Sequence, residues 1–422
     1  MVHHFNYKNG TLHAEDIAVT ELAKQYGTPF YCYSAATFRR HFAVMRDAFS
    51  GVDTLVAYAM KANSNQAILT LLAKEGAGAD VVSLGELERA IAAGIEPQKI
   101  VFSGVAKTEE EMLHGLKLGI KCFNIESEPE LFRLNNVAKN LGVCAPVSLR
   151  INPNVDAKTH AKISTGKAED KFGIPFELAI EIYEKIAKTS NLQAIGIDMH
   201  IGSQITDLEP FANAFSLMAN LVLSLRASGH NISHVDVGGG LGIPYFNDNS
   251  PPPDPLAYAT IVKQKLSHLD CELILEPGRL IAGNSGILVT KIEYIKTATK
   301  KTFYITDAGM NDILRPTLYE APHQIIPVEQ AATGIENIQV DIVGPVCESG
   351  DYLAKNQNLP ILKSGDLLAV MGAGAYGATM SSTYNSRPLI AEILVDGERH
   401  HPVRPRQTIE DLIALDSVPD WL

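Results

Sequence analysis

Through the first two thirds of the chain, hydrophobic positions fall into two alternating kinds of segment. Short apolar runs occur at Thr54–Met60, Ala79–Val82, Ile100–Phe102, Lys121–Ile125, Pro146–Ile151, Ile195–Met199, His234–Val237 and Cys271–Leu275. A strand covered on both faces has no reason to alternate, so each run reads as a buried parallel strand. Between them lie helix-length amphipathic segments, the first over Asn65–Glu75. Thr108 with Glu111 and Ser127 with Glu130 have capping-box spacing, in which each side chain satisfies an orphan N–H at the other end of the first turn. Gly94, Gly119 and Gly142 fall where those helices should stop. Strand and helix in eightfold alternation over roughly 220 residues predict an α/β fold, a (β/α)8 TIM-like barrel, whose usual length is about 250. An open doubly wound sheet is the competing arrangement of the same pattern.

From about Ile281 the period changes. Val289–Ile295, Thr302–Thr306, Gln339–Val343 and Leu367–Val370 have few helical intervals between them, and Ile390–Val395 followed by Asp396-Gly397 reads as one arm of a hairpin. The expectation is an N-terminal segment over 1–30 that joins a mainly β domain over 281–422, with the barrel over 31–280 between them. A chain of 422 residues exceeds one ordinary core, which agrees with two domains.

Composition narrows the partners. At 46% hydrophobic and 20% charged, with a net charge of −12 and no Lys/Arg cluster, the chain is globular and lacks the electrostatic footprint of a nucleic-acid binder. Its five cysteines are scattered, with no C-x-x-C pair, which suits a reducing compartment better than a disulfide framework. Neither they nor the thirteen histidines have ligand spacing, so no metal site is expected. Without a basic leader followed by an apolar stretch, and without a run of bilayer length, the reading is a cytoplasmic protein with no membrane partner.

The candidate chemistry lies where the predicted strands end, since barrels build their sites on that face. Lys61 follows the run Leu55–Met60 directly, and a lysine whose surroundings lower its pKa becomes a nucleophilic amine. His200 ends the sixth strand, and Gly238-Gly239-Gly240 follows the seventh, where backbone N–H groups can approach a phosphate. Glu276 ends the eighth and opens Glu276-Pro277-Gly278-Arg279. Each signal alone has an ordinary structural explanation. Together, an amine, a flat imidazole, a phosphate cradle and an acid on one rim match what pyridoxal 5′-phosphate requires.

The segments YAMKAN, HIGSQ, GGGLGIPY, EPGR, LRPTLY, CESGD and GAYGATMSSTYNSRP occur in this order. With them the chain resembles the diaminopimelate decarboxylases, within the barrel-type pyridoxal-phosphate decarboxylases, over nearly its whole length. The resemblance implies Lys61 as the lysine joined to the cofactor, His200 against its ring, and Glu276 at its pyridine nitrogen. Ser203, Gly239, Gly240, Pro277, Gly278 and Arg279 would hold its phosphate side. Arg279 would also turn to the substrate, and Tyr376 would approach both phosphate and substrate. Arg315 and Tyr319 would hold the substrate's distal carboxylate, Glu348 its distal ammonium, and Cys347 would donate a proton. Cys347 and Glu348 would reach the site of a neighbouring subunit, making a homodimer necessary. The implied reaction is decarboxylation of meso-2,6-diaminopimelate at its D-centre to L-lysine, the last step of lysine biosynthesis. Decarboxylation of carboxynorspermidine or ornithine, or racemisation on the same kind of barrel, are the alternatives.

Overall fold

Each of the eight apolar runs is a strand in the computed structural model, which describes residues 3–157, 159–163, 165–167, 169–246, 252–332 and 334–422. The strands are Thr54–Ala59 (β1), Gly78–Val81 (β2), Ile100–Phe102 (β3), Cys122–Ile125 (β4), Ala145–Asn152 (β5), Leu192–Asp198 (β6), His234–Asp236 (β7) and Glu272–Leu275 (β8). Consecutive strands pair in parallel, and β8 returns to β1 with Ile274 opposite Leu55, so the sheet closes. Closure settles the choice against the open sheet, which would leave two edges.

Within the barrel, Leu55, Ala57, Val101, Cys122 and Ile274 form an apolar plug with Ile195. Nearer the C-terminal strand ends the buried residues become polar: Asp80, Ser103, Asn124, Ser148, Arg150, Asp198, Asp236 and Glu276. Branched apolar residues normally fill such a layer, so this one is built for something other than packing.

The connecting helices follow their caps. Asn65 accepts from the Ala67 N–H at 3.0 Å and opens the helix Gln66–Lys74. Thr108 and Glu111 form the complete predicted box. Ser127 accepts from the Glu130 N–H, but the reciprocal bond is not made. The Glu130 carboxylate turns inward to the buried Lys107 ammonium at 2.7 Å and the Glu126 N–H at 3.0 Å. A charge-assisted bond inside the protein is the stronger claim on that side chain. Gly119 and Gly142 are left-handed C-caps, and Gly94 sits one residue beyond its cap.

A second compact unit comprises Met1–Phe38, Tyr245–Asp248 and Ala282–Leu422, while the barrel unit comprises Arg39–Pro244 and Asn249–Ile281. The second unit's main sheet centres on Phe30–Ser34, whose five residues are all buried. That strand pairs antiparallel with Gly286–Val289 and parallel with Ala391–Val395. The hairpin Ala391–Asp396 with Arg399–Arg404 turns at Gly397, where φ is +63°. Tyr352–Pro360, which the hydrophobic pattern does not single out, is a strand because its backbone pairs with Asn337–Val343 and its Leu353 and Leu359 are buried. Among the described residues, no helix is long and apolar enough to cross a membrane.

Candidate active site

The barrel unit gathers nine of the predicted residues at the C-terminal strand ends. Lys61 lies on a single turn, Met60–Ala62, directly after β1. Its Nζ is 2.7 Å from Oδ2 of Asp80, a fully buried carboxylate on β2. The following Asn63 and Asn65 end the turn and start the next helix, Asn63 Oδ1 accepting from the Asn65 N–H at 3.1 Å. The polar stretch after Lys61 therefore serves to stop β1 and cap a helix within four residues.

His200 follows β6, and its Nδ1 accepts a hydrogen bond from the Gly239 N–H at 3.2 Å. An acceptor nitrogen has no proton, so the neutral ring carries its hydrogen on Nε2. Burial, with the Arg150 and Lys61 cations nearby, pushes this imidazole well below its ordinary pKa and keeps it neutral.

The acids behave in the opposite sense. Asp198, Asp236 and Glu276 each offer an oxygen within 4.8 Å of the others. Burial and mutual repulsion raise Asp236 and Glu276 well above the carboxylate range, and burial raises Asp198 to about 7 despite Arg150. The charge of Asp236 raises Glu276 in particular, so the pair favours retaining a proton. Retained protons relieve the repulsion within this grouping.

The motifs that flank these residues interlock. The Gln204 side chain bonds both ways to the backbone of Ile243, at 2.8 and 3.2 Å. The Ile205 N–H donates to the Gly240 carbonyl at 2.9 Å, and the Glu276 N–H to the Gly238 carbonyl at 2.8 Å. A Cβ on Gly239 would lie 2.2 Å from the Glu276 carbonyl oxygen. One on Gly240, at φ +102°, would lie 2.3 Å from the Gly202 carbonyl oxygen. Only glycine fits this cradle. Arg279 donates to the Ser203 hydroxyl at 3.0 Å, and a Cβ on Gly278 would meet the Cβ atoms of Ala59 and Ala62, beside Lys61. Pro277 is buried, and its carbonyl accepts from the Ala59 N–H at 3.3 Å.

The other five predicted residues lie in the second unit. Arg315 and Tyr319 are the ends of a short helix. Its Thr317 hydroxyl donates to the Gly350 carbonyl at 2.6 Å, tying the helix to the loop that carries Cys347 and Glu348. That loop is shaped from within by Asp351, whose carboxylate accepts from the N–H groups of Val346 and Met310 at 2.6 and 2.7 Å. From outside, Asn385 Oδ1 accepts from the Cys347 N–H at 3.2 Å, and the Tyr384 hydroxyl meets Glu348 at 2.5 Å. The YNSRP motif thus holds the CESGD loop, leaving Cys347 exposed. Tyr376 is half-buried between the strand Leu367–Val370 and the short turn Ala378–Met380, with φ at +55°.

Asp80, Arg150, Asp198 and Asp236 are absent from the residues singled out in the sequence, although each is a charge inside an apolar or glycine-bounded run. Arg150 donates to Glu126 at 2.8 Å and packs over the Phe172 ring at 4.9 Å. Three buried carboxylate oxygens, Asp80 Oδ1, Asp198 Oδ1 and Asp236 Oδ2, have no hydrogen-bond partner. Orphaned acceptors, a glycine cradle, a neutral imidazole and an amine fit a cofactor with a protonated ring nitrogen, a flat ring, an aldehyde and a phosphate. Pyridoxal 5′-phosphate has all four.

Comparison with known proteins agrees. Residues 35–283 match the family model of the pyridoxal-dependent decarboxylase, pyridoxal binding domain. The diaminopimelate decarboxylase of Vibrio cholerae is 52% identical over 98% of this chain and 99% of its own, and that of Zymomonas mobilis is 50% identical over 99% of each. The crystal structure of the M. jannaschii diaminopimelate decarboxylase with L-lysine superposes with a TM-score of 0.94 at 38% identity, covering 99% of this chain and 98% of that one. The Helicobacter pylori enzyme with L-lysine gives 0.90 at 44% identity over 94% and 98%. A barrel closed in parallel, a lysine-bearing turn at its mouth and likeness along the full chain lead to one conclusion: the chain belongs to the diaminopimelate decarboxylase family of pyridoxal-dependent decarboxylases.

Proposed function

We propose that the chain removes the carboxylate from the D-configured end of meso-2,6-diaminopimelate, giving L-lysine and CO2 as the last step of lysine biosynthesis. The observation that carries this is the Lys61 ammonium, 2.7 Å from buried Asp80 at the barrel mouth, in a chain 52% identical over 98% of its length to such an enzyme. Pyridoxal 5′-phosphate, when bound, supplies an electron sink for the pair left on Cα when CO2 departs. Lys61 tethers it, and Asp80 takes up the ammonium charge until then. Ser203, Gly239, Gly240, Pro277, Gly278 and Arg279 hold the phosphate side, joined by Tyr376. Glu276, made more basic by burial and by Asp236, keeps the ring nitrogen protonated. The neutral His200 covers the ring without adding a second positive charge.

Arg279 and Tyr376 also face the substrate. Arg315 and Tyr319 receive the distal carboxylate and Glu348 the distal ammonium, which selects the bond that breaks by fixing the other end of the molecule. Cys347 delivers a proton to Cα in place of CO2. In this reading Cys347 and Glu348 serve the site of a partner subunit, so the active form is a homodimer, and the compartment is the cytoplasm. The test is CO2 release from meso-diaminopimelate beside ornithine, arginine and lysine, with and without added pyridoxal 5′-phosphate. Release from diaminopimelate far faster than from the other amino acids, dependent on the cofactor, is expected. Preference for ornithine, or racemisation without CO2, would overturn the assignment.

A further inference from the structure

The guanidinium of Arg315 is held by two residues that none of the motif assignments uses. It meets Nε2 of His323 at 2.8 Å, and its central carbon lies 4.7 Å from the ring centroid of Tyr245. His323 Nδ1 is 2.9 Å from the Met371 carbonyl oxygen. Arginine can only donate and a carbonyl can only accept, so the imidazole is the neutral tautomer with its hydrogen on Nδ1 and a lone pair aimed at Arg315. His323 is 1% exposed and Arg315 4%, which leaves little freedom to rearrange. The two aromatic rings meet edge to face at 5.2 Å. Gly372, at φ +65°, makes room for Tyr245: a Cβ there would come within 3.2 Å of its ring.

His323 and Tyr245 are each uncharged. A carboxylate in place of His323 would orient the guanidinium equally well but would neutralise it. An imidazole lone pair and a π face fix the plane of the fork without adding an anion of their own. We infer that His323, with Tyr245, is a positioning and specificity-determining device that aims Arg315 at a carboxylate on the far end of the substrate. The inference rests on the proposed role of Arg315 in binding the distal carboxylate. The simpler alternative is that His323 only anchors its own turn to Met371, in which case its loss would affect all substrates alike.

The two roles separate in steady-state kinetics of the holoenzyme. Meso-diaminopimelate is compared with D-lysine, which keeps the D-centre and the distal ammonium but lacks the distal carboxylate. His323→Phe keeps a ring for Tyr245 and removes the acceptor. It should raise KM for diaminopimelate about tenfold or more, leave kcat within about twofold, and leave kcat/KM for D-lysine unchanged. His323→Gln, which returns an acceptor oxygen, should recover most of the loss. In an Arg315→Ala background, His323→Phe should add nothing, because its effect runs through that guanidinium. Unchanged KM, an equal loss on both substrates, or full additivity with Arg315→Ala would overturn the inference while leaving the proposed function standing. If Arg315→Ala itself leaves KM for diaminopimelate unchanged, the role of Arg315 fails and the inference with it. Should His323→Phe not fold, Tyr245→Leu, which strips the π face, is read against the same criteria.

Discussion

Lys107 is a demanding place to remove a charge. Its side chain is 1% exposed, and its ammonium donates to the Gly104 carbonyl at 2.8 Å, the Asn124 carbonyl at 2.6 Å and Glu130 at 2.7 Å. Glu130 in turn accepts from the Glu126 N–H, and Glu126 accepts from Gly104, Arg150 and Gly173. Lys107→Met keeps the volume and leaves a buried anion without its cation, a change that costs about 3–5 kcal/mol. At roughly 2–4 °C per kcal/mol for a domain of this size, the melting temperature should fall by about 10 °C. Adding Glu130→Gln removes the stranded charge and keeps an acceptor for Glu126, so the double variant should recover more than half of the loss. Acidity supplies an independent check. Burial already raises the Glu130 pKa, with Lys107 opposing it, and removing the ammonium raises it further. A carboxyl whose folded pKa lies above its unfolded value contributes stability at low pH and withdraws it as pH rises through the folded value. The deficit of the single variant should therefore be largest at neutral pH and above, and shrink as pH approaches the ordinary carboxylate range. Scanning calorimetry of wild type, single and double variants across that interval decides the matter. A fall under about 3 °C, or a double variant no better than the single, would refute the account of Lys107 as one half of a buried pair.

Three further outcomes follow from the site. Borohydride reduction and peptide mapping should place the pyridoxyl tag on Lys61, and Lys61→Ala should lose the tag and at least about 10⁴-fold in turnover; a tag on another lysine would sink the assignment. Cys347→Ala should slow product formation by about 10²-fold or more while equilibrium dialysis shows the cofactor still bound, and unchanged turnover would remove Cys347 as proton donor. Gly239→Ala forces a Cβ to 2.2 Å from the Glu276 carbonyl oxygen. It should weaken cofactor binding at least about tenfold in dialysis, since the loop must move to admit it.

The fold was legible wherever burial leaves a simple period. The eight barrel strands lie within a few residues of their apolar runs, because a strand covered on both faces tolerates little else. Barrel closure was legible only through the count of eight and the length of the alternation, since the pairing of β8 with β1 is a long-range fact that leaves no mark on either strand. Phe30–Ser34 escaped notice because a central strand contributed from the far end of the chain has no local partner to announce it. Tyr352–Pro360 escaped because its Lys-Asn-Gln-Asn interior is specified by backbone pairing and two leucines. In the site, Lys61, Gly239 and Glu276 stood out because they interrupt or terminate a pattern. Asp80 and Asp236 did not, since a single acid within a short run looks like a strand end until its partners are known.

Those acids bear most directly on what the barrel is for. Asp80, Asp198, Asp236 and Glu276 are buried close together with Lys61 and Arg150 as the cations facing them, and the remaining charge is relieved by protons, as the raised acids require. Each such group is costly to remove from water, and three of their oxygens have no hydrogen-bond partner to offset that cost. Packing alone would favour leucine, isoleucine and valine at these positions, as in the plug beneath them. A layer that forgoes stability in this way is explained if a cationic ring nitrogen and a second cation, the amine of Lys61, are to be accommodated there. The same argument accounts for His200: with acids already retaining protons below it and two cations beside it, another positive charge would be unfavourable. The neutral ring that results can lie against an aromatic cofactor without competing for its proton.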